Sequence, residues 1–132
     1  MKLLNNLKSL ILEVASTDEI IKSISGREVV TIYYDGDEDG QFSGKGYRTI
    51  EPVCLGYHKD TNTLVLSAWD LEGKSYSRDK KGNPIPGWRL FRVDKIFTYK
   101  PTMDKFNEVR PYFNPIGDKR MSRVIKLVNF NE

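Results

Sequence analysis

A proline inside a strand-like run is the feature that most limits how this chain folds. The run GYRTIEPVCLGY (46–57) has the alternation of a β-strand, and Pro52 lies near its middle. Because proline has no backbone N–H to donate to a neighbouring strand, a strand that contains it must lie at an edge or carry a bulge there. Strongly bent strands of small barrels have this property. The run therefore predicts a bent strand in a small β-barrel.

Further runs rich in β-branched and aromatic residues have the same strand-like pattern, and turn residues separate them. Together they predict a mostly β protein built on one small sheet. The predicted strands lie near residues 28–34, 46–58, 63–69, 88–93 and 95–100.

The N-terminal residues have a helical pattern. Apolar side chains recur at helical spacing over residues 3–15, which predicts an amphipathic helix. Ser16 and Glu19 form a capping-box pattern, and Gly26 would end a short second helix. Residues 1–26 are therefore predicted to be N-terminal helices, of which the first is either a docking element for a partner or a lid over the open end of the barrel.

Residues 101–132 form a C-terminal extension that is predicted to end in a strand, SRVIKLVNF (122–130). A lone strand cannot satisfy its own backbone, so it must add to the edge of the barrel or to another molecule. Because this strand carries apolar residues on both faces, we expect the extension to pair or pack with a neighbouring chain, by strand addition if that neighbour has an open edge. The predicted assembly contacts are Tyr112, Phe113, Val124, Ile125, Leu127, Val128 and Phe130.

The composition excludes several classes of chemistry. A single cysteine, Cys54, rules out an intrachain disulfide framework. The acidic run that begins at Asp35 starts like a calcium loop, but Gly46 stands where a bidentate Glu is needed. We find no phosphate-binding loop and no pairing of a nucleophile with a base, so we predict neither enzymatic activity nor a cofactor or metal.

The expected compartment is the cell interior. The apolar runs are far shorter than the roughly 20 residues of a membrane span, and the N-terminus lacks the order of a signal peptide. The net charge of +3 is too small to indicate nucleic-acid binding by itself. A basic loop in residues 71–87 either reaches phosphate or an acidic neighbour, or only keeps the protein soluble. Its cations are Lys74, Arg78, Lys80 and Lys81.

Three ordered motifs resemble the WYL domain of bacteria and their phages. They are R-x-I-x-P, an apolar strand that closes in an aromatic residue and Asp, and R-x-F-R-x-D-[KR]-I. The family's Trp-Tyr-Leu tripeptide is replaced by Leu64, Val65 and Leu66, so an aromatic residue that often helps to form its ligand surface is absent. The matching residues are Arg48, Ile50, Pro52, Trp69, Asp70, Arg89, Phe91, Arg92, Asp94, Lys95 and Ile96.

The resemblance implies a small Sm/SH3-like five-stranded barrel over residues 27–100, within a single compact domain. Such domains usually sense a ligand or a nucleic acid and are not catalytic. In the family, arginines of this pattern line the ligand surface, because their planar forks suit phosphate and carboxylate. The alternative is internal pairing of arginine with aspartate that fixes the barrel. The implied anion-binding candidates are Arg48, Arg89 and Arg92, with Tyr47 and Trp69 as stacking residues.

Two functions compete at this point. One is a regulatory sensor that binds single-stranded nucleic acid or a nucleotide through the arginine surface. The other is a structural adaptor that binds other protein subunits as a homo- or hetero-oligomer. The segment FNPIGDKRMSRVIKLVNF (113–130) resembles the ends of free-standing WYL-like proteins of tailed bacteriophages, some of which are virion components. We favour the adaptor.

Overall fold

The computed structural model of the protein describes residues 14–36, 45–71 and 87–131. This part of the chain contains one α-helix and six antiparallel strands, and a short 3-10 turn, Val93–Lys95, joins the fourth strand to the fifth. The elements are α1 (Thr17–Ser25), β1 (Glu28–Tyr34), β2 (Gly46–His58), β3 (Leu64–Asp70), β4 (Gly87–Arg92), β5 (Ile96–Lys105) and β6 (Met121–Leu127).

The strand assignments made from sequence are confirmed, whereas closure of the barrel is not. The sheet is open, with the hydrogen-bonded order β4-β3-β2-β1-β5. The edge strands β4 and β5 do not pair with each other, so the predicted closed five-stranded barrel is wrong. Between β1 and β4 there are side-chain contacts only: the Tyr34 ring meets Phe91 edge to face at 4.9 Å between centroids, and its hydroxyl accepts the Arg92 N–H at 3.1 Å.

The proline in β2 acts as the sequence indicates. The register between β2 and β3 shifts between Pro52 and Cys54, which is the predicted bulge. β1 pairs with β2 only from Gly46 to Ile50, so the same edge of β2 is open beyond the proline. That open edge receives another strand.

β6 fills the open edge of β2. It pairs antiparallel with residues 54–58, and beyond its end Val128 N–H donates to Val53 O at 2.8 Å. Along this edge β6 is thus paired within its own chain, so of the two alternatives for the final strand, addition to its own sheet is the one observed. Assembly of the extension with a neighbouring chain stays a prediction. The edge was available because β1 covers only one half of β2.

The helix α1 begins as its capping box predicts. Ser16 N–H donates to Glu19 Oε1 at 2.7 Å, and Glu19 N–H donates to Ser16 Oγ at 3.2 Å. The helix predicted over residues 3–15 lies almost entirely outside the described residues. At its expected end, Val14 bridges Phe97 instead of continuing a helix. Within the described residues, no helix combines the length and apolar character that a membrane crossing requires.

The main core lies between α1 and the inner face of the curved sheet. Ile20 and Ile24 of α1 are fully buried together with Ile32, Ile50 and Leu66 of the strands. One polar contact crosses this core, a 2.6 Å hydrogen bond between the hydroxyls of Ser23 and Tyr99. The opposite, outer face of the sheet is where the C-terminal extension lies.

We expect Gly56→Ala to disrupt the junction of β2 and β6. A Cβ atom at this position would overlap the carbonyl oxygen of Arg123 and lie 2.7 Å from Met121 Sδ. Overpacking of this kind costs about 1–3 kcal/mol, which urea unfolding measures. Amide exchange should accelerate in β6 before it does in β1.

Gly87→Ala is the matched control, because its Cβ would meet only the flexible end of Arg89 at 3.2 Å. Equal losses of stability in the two variants would show that Gly56 is not needed for the close approach of β6.

Candidate functional site

Arg48 does not lie on a ligand surface. Its side chain is 2% exposed and that of Asp70 is fully buried, and their Nη1 and Oδ2 atoms are 3.0 Å apart. The rings of Tyr34 and Phe91 lie near the guanidinium, with their centroids at 5.5 and 5.4 Å. Of the two interpretations of the arginine pattern, internal pairing is the correct one for Arg48, and its predicted role in binding an external anion is wrong.

The other two arginines do not converge with it. Arg89 and Arg92 are three residues apart in β4, so their side chains leave opposite faces of the strand. Arg89 Nη1 donates to the carbonyl of Trp88 at 2.8 Å, and Arg92 Nη2 lies 2.9 Å from Asp94 Oδ2. The structure therefore does not bring the predicted arginine surface together.

The two predicted stacking residues lie in different surroundings. Tyr47 is exposed and contacts Tyr33 edge to face at 5.0 Å. Trp69 is half-buried and meets Trp88 edge to face at 5.3 Å. The basic loop with Lys74, Arg78, Lys80 and Lys81 lies outside the described residues.

The outer face carries a different arrangement, which the sequence analysis missed. Residues 106–120, here called the strap, run from the end of β5 to β6. Arg110 of the strap binds Glu51 of β2 in a two-pronged fork, with Nε–Oε1 and Nη2–Oε2 distances of 2.9 and 2.8 Å. Its guanidinium also lies over the Trp69 ring, 5.5 Å from the centroid. The Glu51 side chain is almost fully buried, and this charged fork holds the strap in place.

Two further contacts fix the strap to β4. Trp88 Nε1 donates to the carbonyl of Pro111 at 2.6 Å, and the rings of Trp88 and Phe113 stack with centroids 6.3 Å apart. Phe113 in turn meets Phe130 edge to face at 6.0 Å. A continuous row of rings thus joins β3, β4, the strap and the C-terminal residues.

A cavity of about 560 Å³ lies between the strap and the sheet. This size is within the range of ligand pockets, which are mostly apolar with a few placed polar groups. Its apolar walls come from Val53, Trp88, Tyr112, Phe113, Pro115 and Ile116, and its polar groups from Cys54, Ser67, Asn114, Asp118, Lys119 and Arg120.

The polar part of the cavity is internally neutralised. Asp118 Oδ1 accepts from Nε and the backbone N–H of Arg120 at 3.0 and 2.9 Å, and Oδ2 accepts from Nη2 at 2.7 Å. These bonds from Arg120 hold the pKa of Asp118 below its usual range, against the opposing effect of burial. The carboxylate is therefore charged and already paired at neutral pH.

The cysteine in the cavity wall is not poised for reaction. Burial raises the pKa of the Cys54 thiol, and its Sγ lies 3.5 Å from Met121 Sδ. A neutral, buried thiol behaves as a small apolar group. Among the described residues no group of three His, Cys, Asp or Glu could hold a metal. The arrangement is suited to binding and offers no activated nucleophile.

The predicted assembly contacts divide into two sets. Val128 is buried and Phe113, Ile125, Leu127 and Phe130 are half-buried against the chain's own core, so they stabilise this fold. Tyr112 is 97% exposed and Val124 is 38% exposed. The sequence analysis did not select Ile116, which is 87% exposed beside Tyr112 on the strap. Its position between Pro115 and Gly117, in a turn, was the available signal.

In comparisons with known proteins, no family model, no curated protein and no solved structure matches this chain. The resemblance to the WYL domain stays a prediction. The site is therefore interpreted from its geometry.

Removing one partner of the buried ion pair should destabilise the fold strongly. We expect Arg48→Met or Asp70→Leu to cost about 3–5 kcal/mol, because each leaves an unpaired charge inside the protein, and the double variant to recover much of this loss. Urea unfolding measures the free energy of unfolding of the three variants. Arg92→Met is the control, since its exposed pair with Asp94 should be worth no more than about 1 kcal/mol. Additive losses in the double variant would contradict a direct pairing.

The pair of Asp118 and Arg120 should make the strap acid-sensitive. Because the folded pKa of Asp118 is lowered, its stabilising effect is present above the unfolded pKa of about 3.9 and is lost as the pH falls through the folded value. We expect wild type to be more stable than Asp118→Asn at pH 6, and the difference to vanish in strong acid. Thermal unfolding across pH 2–7 tests this, and a difference that is constant with pH would exclude the ionised pair as its cause.

Proposed function

We propose that this protein is a non-catalytic binding module that acts as a structural adaptor through protein–protein contacts. The observation that carries the proposal is the exposure of two large apolar side chains, Tyr112 and Ile116, at 97% and 87%. Both lie on the strap, which is anchored to the sheet by the Arg110–Glu51 fork. We expect its partners to be other protein subunits, in a tailed-bacteriophage virion or in the bacterial cytoplasm, as the sequence resemblance implies.

The exposure is informative because the strap is held in place. Apolar surface left in water costs about 25 cal/mol for each Å² that could be buried. A strap that is already ordered loses little further conformational freedom on binding, so more of the burial energy contributes to affinity. Tyrosine is also among the residues enriched at interface hot spots. Burial by a partner is the physical consequence that this arrangement favours.

The backbone at Tyr112 supports the same conclusion. Its φ of 67° lies in the left-handed region, which is unusual for a bulky aromatic residue. Such conformations cost of order 1–3 kcal/mol and occur where the surrounding structure imposes them, often at binding sites. The fold thus imposes a strained backbone at the very residue whose side chain is most exposed on the strap.

The sensor function has less support from the geometry. Arg48 is buried, and Arg89 and Arg92 lie on opposite faces of β4. A groove for single-stranded nucleic acid needs cations along one track with aromatic platforms between them. Binding of a single-stranded oligonucleotide is therefore one of the outcomes that the experiment below distinguishes.

The double variant Tyr112→Ser with Ile116→Ser should remove the protein contact and leave the fold intact. Each change deletes exposed apolar surface only, so the urea midpoint should hold while recovery of the main partner falls at least tenfold, the equivalent of about 1.4 kcal/mol. Quantitative affinity purification with the tagged protein in its own host measures a heterologous partner, and sedimentation velocity measures self-association.

Met103→Ser is the matched control, because Met103 on β5 is also almost wholly exposed, at 94%, and also has a left-handed backbone, with φ 77°. Unchanged partners in the double variant would show that Tyr112 and Ile116 are not the contact surface, and the absence of any protein partner or self-association in the wild type would overturn the proposal. Salt-sensitive, sub-micromolar binding of a single-stranded oligonucleotide, with no protein partner, would favour the sensor in its place.

A further inference from the structure

We infer that the cavity beneath the strap is a recognition pocket for one aromatic side chain of the partner, presented by an acidic segment. This inference rests on the proposed function and names the chemistry of the partner. It combines the shape of the cavity, the charge on its lining and the position of its mouth next to Tyr112 and Ile116.

The walls favour an aromatic occupant. Trp88 and Phe113 line the cavity and belong to the row of rings that runs from Trp69 to Phe130. A further ring placed in the cavity would extend this row by edge-to-face or offset contacts, which stabilise aromatic pairs beyond simple burial. The neutral thiol of Cys54 offers a sulfur contact of the kind that aromatic rings accept.

The polar lining does not demand a charged group inside the cavity. The carboxylate of Asp118 is only 12% exposed and is satisfied by the bonds from Arg120. A cation inserted here would have to compete with that arginine. The interior can therefore take an uncharged ring without leaving a buried charge unpaired.

The charge presented to solvent is positive. Lys119 and Arg120 both line the cavity and are exposed, and the half-buried Asp118 pairs with Arg120 and leaves Lys119 without a neutralising partner in that pair. Opposite charge at the rim of an interface steers the partner and fixes its register. The segment that carries the ring is therefore expected to have Asp or Glu next to it.

Titration of the full chain with short capped peptides tests the inference. The probe is Asp-Glu-Phe-Asp-Glu, and the comparison peptides are Asp-Glu-Ala-Asp-Glu and Lys-Lys-Phe-Lys-Lys. Nuclear magnetic resonance follows the Trp88 indole N–H and the amides of the strap. We expect the probe to shift these signals and to bind at least tenfold more tightly than either comparison peptide. Shifts confined to α1 or β5, or equal binding of all three peptides, would overturn the inference.

Charge reversal at the rim provides a second measurement. Lys119→Glu should weaken binding of the probe at least threefold. Lys105→Glu, a charge reversal at an exposed position of β5, should leave that binding unchanged. An equal effect of the two variants would overturn the rim assignment. A single-stranded oligonucleotide that shifts the strap signals, with no response to the probe, would also overturn it.

The two proposals fail separately. If the Tyr112/Ile116 variant loses its partner but no peptide binds in the cavity, the adaptor function holds and the pocket inference is wrong. If the probe binds in the cavity but the wild type recovers no protein partner and does not self-associate, the pocket accepts such a ring and the adaptor function is wrong.

Discussion

The backbone of β2 is the constraint on which the rest of the structure depends. Its thirteen residues offer two edges, and three strands use them. β3 pairs along one edge, while β1 and β6 divide the other on either side of the bulge at Pro52. Because backbone groups of a buried strand must be paired, the half of β2 that β1 leaves open needs a partner, and β6 supplies it. The C-terminal extension is thereby tied to the centre of the sheet.

The fold uses its most conspicuous charge internally. Arg48 and Asp70 lie in the core with two aromatic rings beside the guanidinium, an arrangement whose desolvation cost offsets much of its Coulomb attraction. Removal of either partner would leave the other charge buried alone. An arginine used in this way is not available to a ligand. We place the binding surface instead on the outer face of the sheet.

On that face, polar contacts position the strap, whereas some of its large apolar side chains are exposed to solvent. The Arg110–Glu51 fork and the hydrogen bond from Trp88 to Pro111 position the strap. Tyr112 and Ile116 contribute little to that positioning, since their side chains are almost wholly in solvent. A surface held by directional contacts and tipped with apolar side chains is preorganised, so a partner that covers it has little ordering cost to overcome. This division of tasks is why we associate the strap, and not the arginines, with function.

The sequence by itself determined the local features. The strand runs, the capping box at Ser16 and Glu19, and the bulge at Pro52 follow from periodicity, side-chain capping and a missing N–H, each of which acts over a few residues. Only the tertiary structure decided the rest. Whether the sheet closed depended on whether its edge strands β4 and β5 paired, and whether Arg48 faced solvent depended on Asp70, 22 positions away. The partner of β6 and the exposure of Tyr112 likewise depended on where distant strands left an open edge. Sequence pattern carries no measure of such distances, because the same alternation describes a strand whichever neighbour covers it.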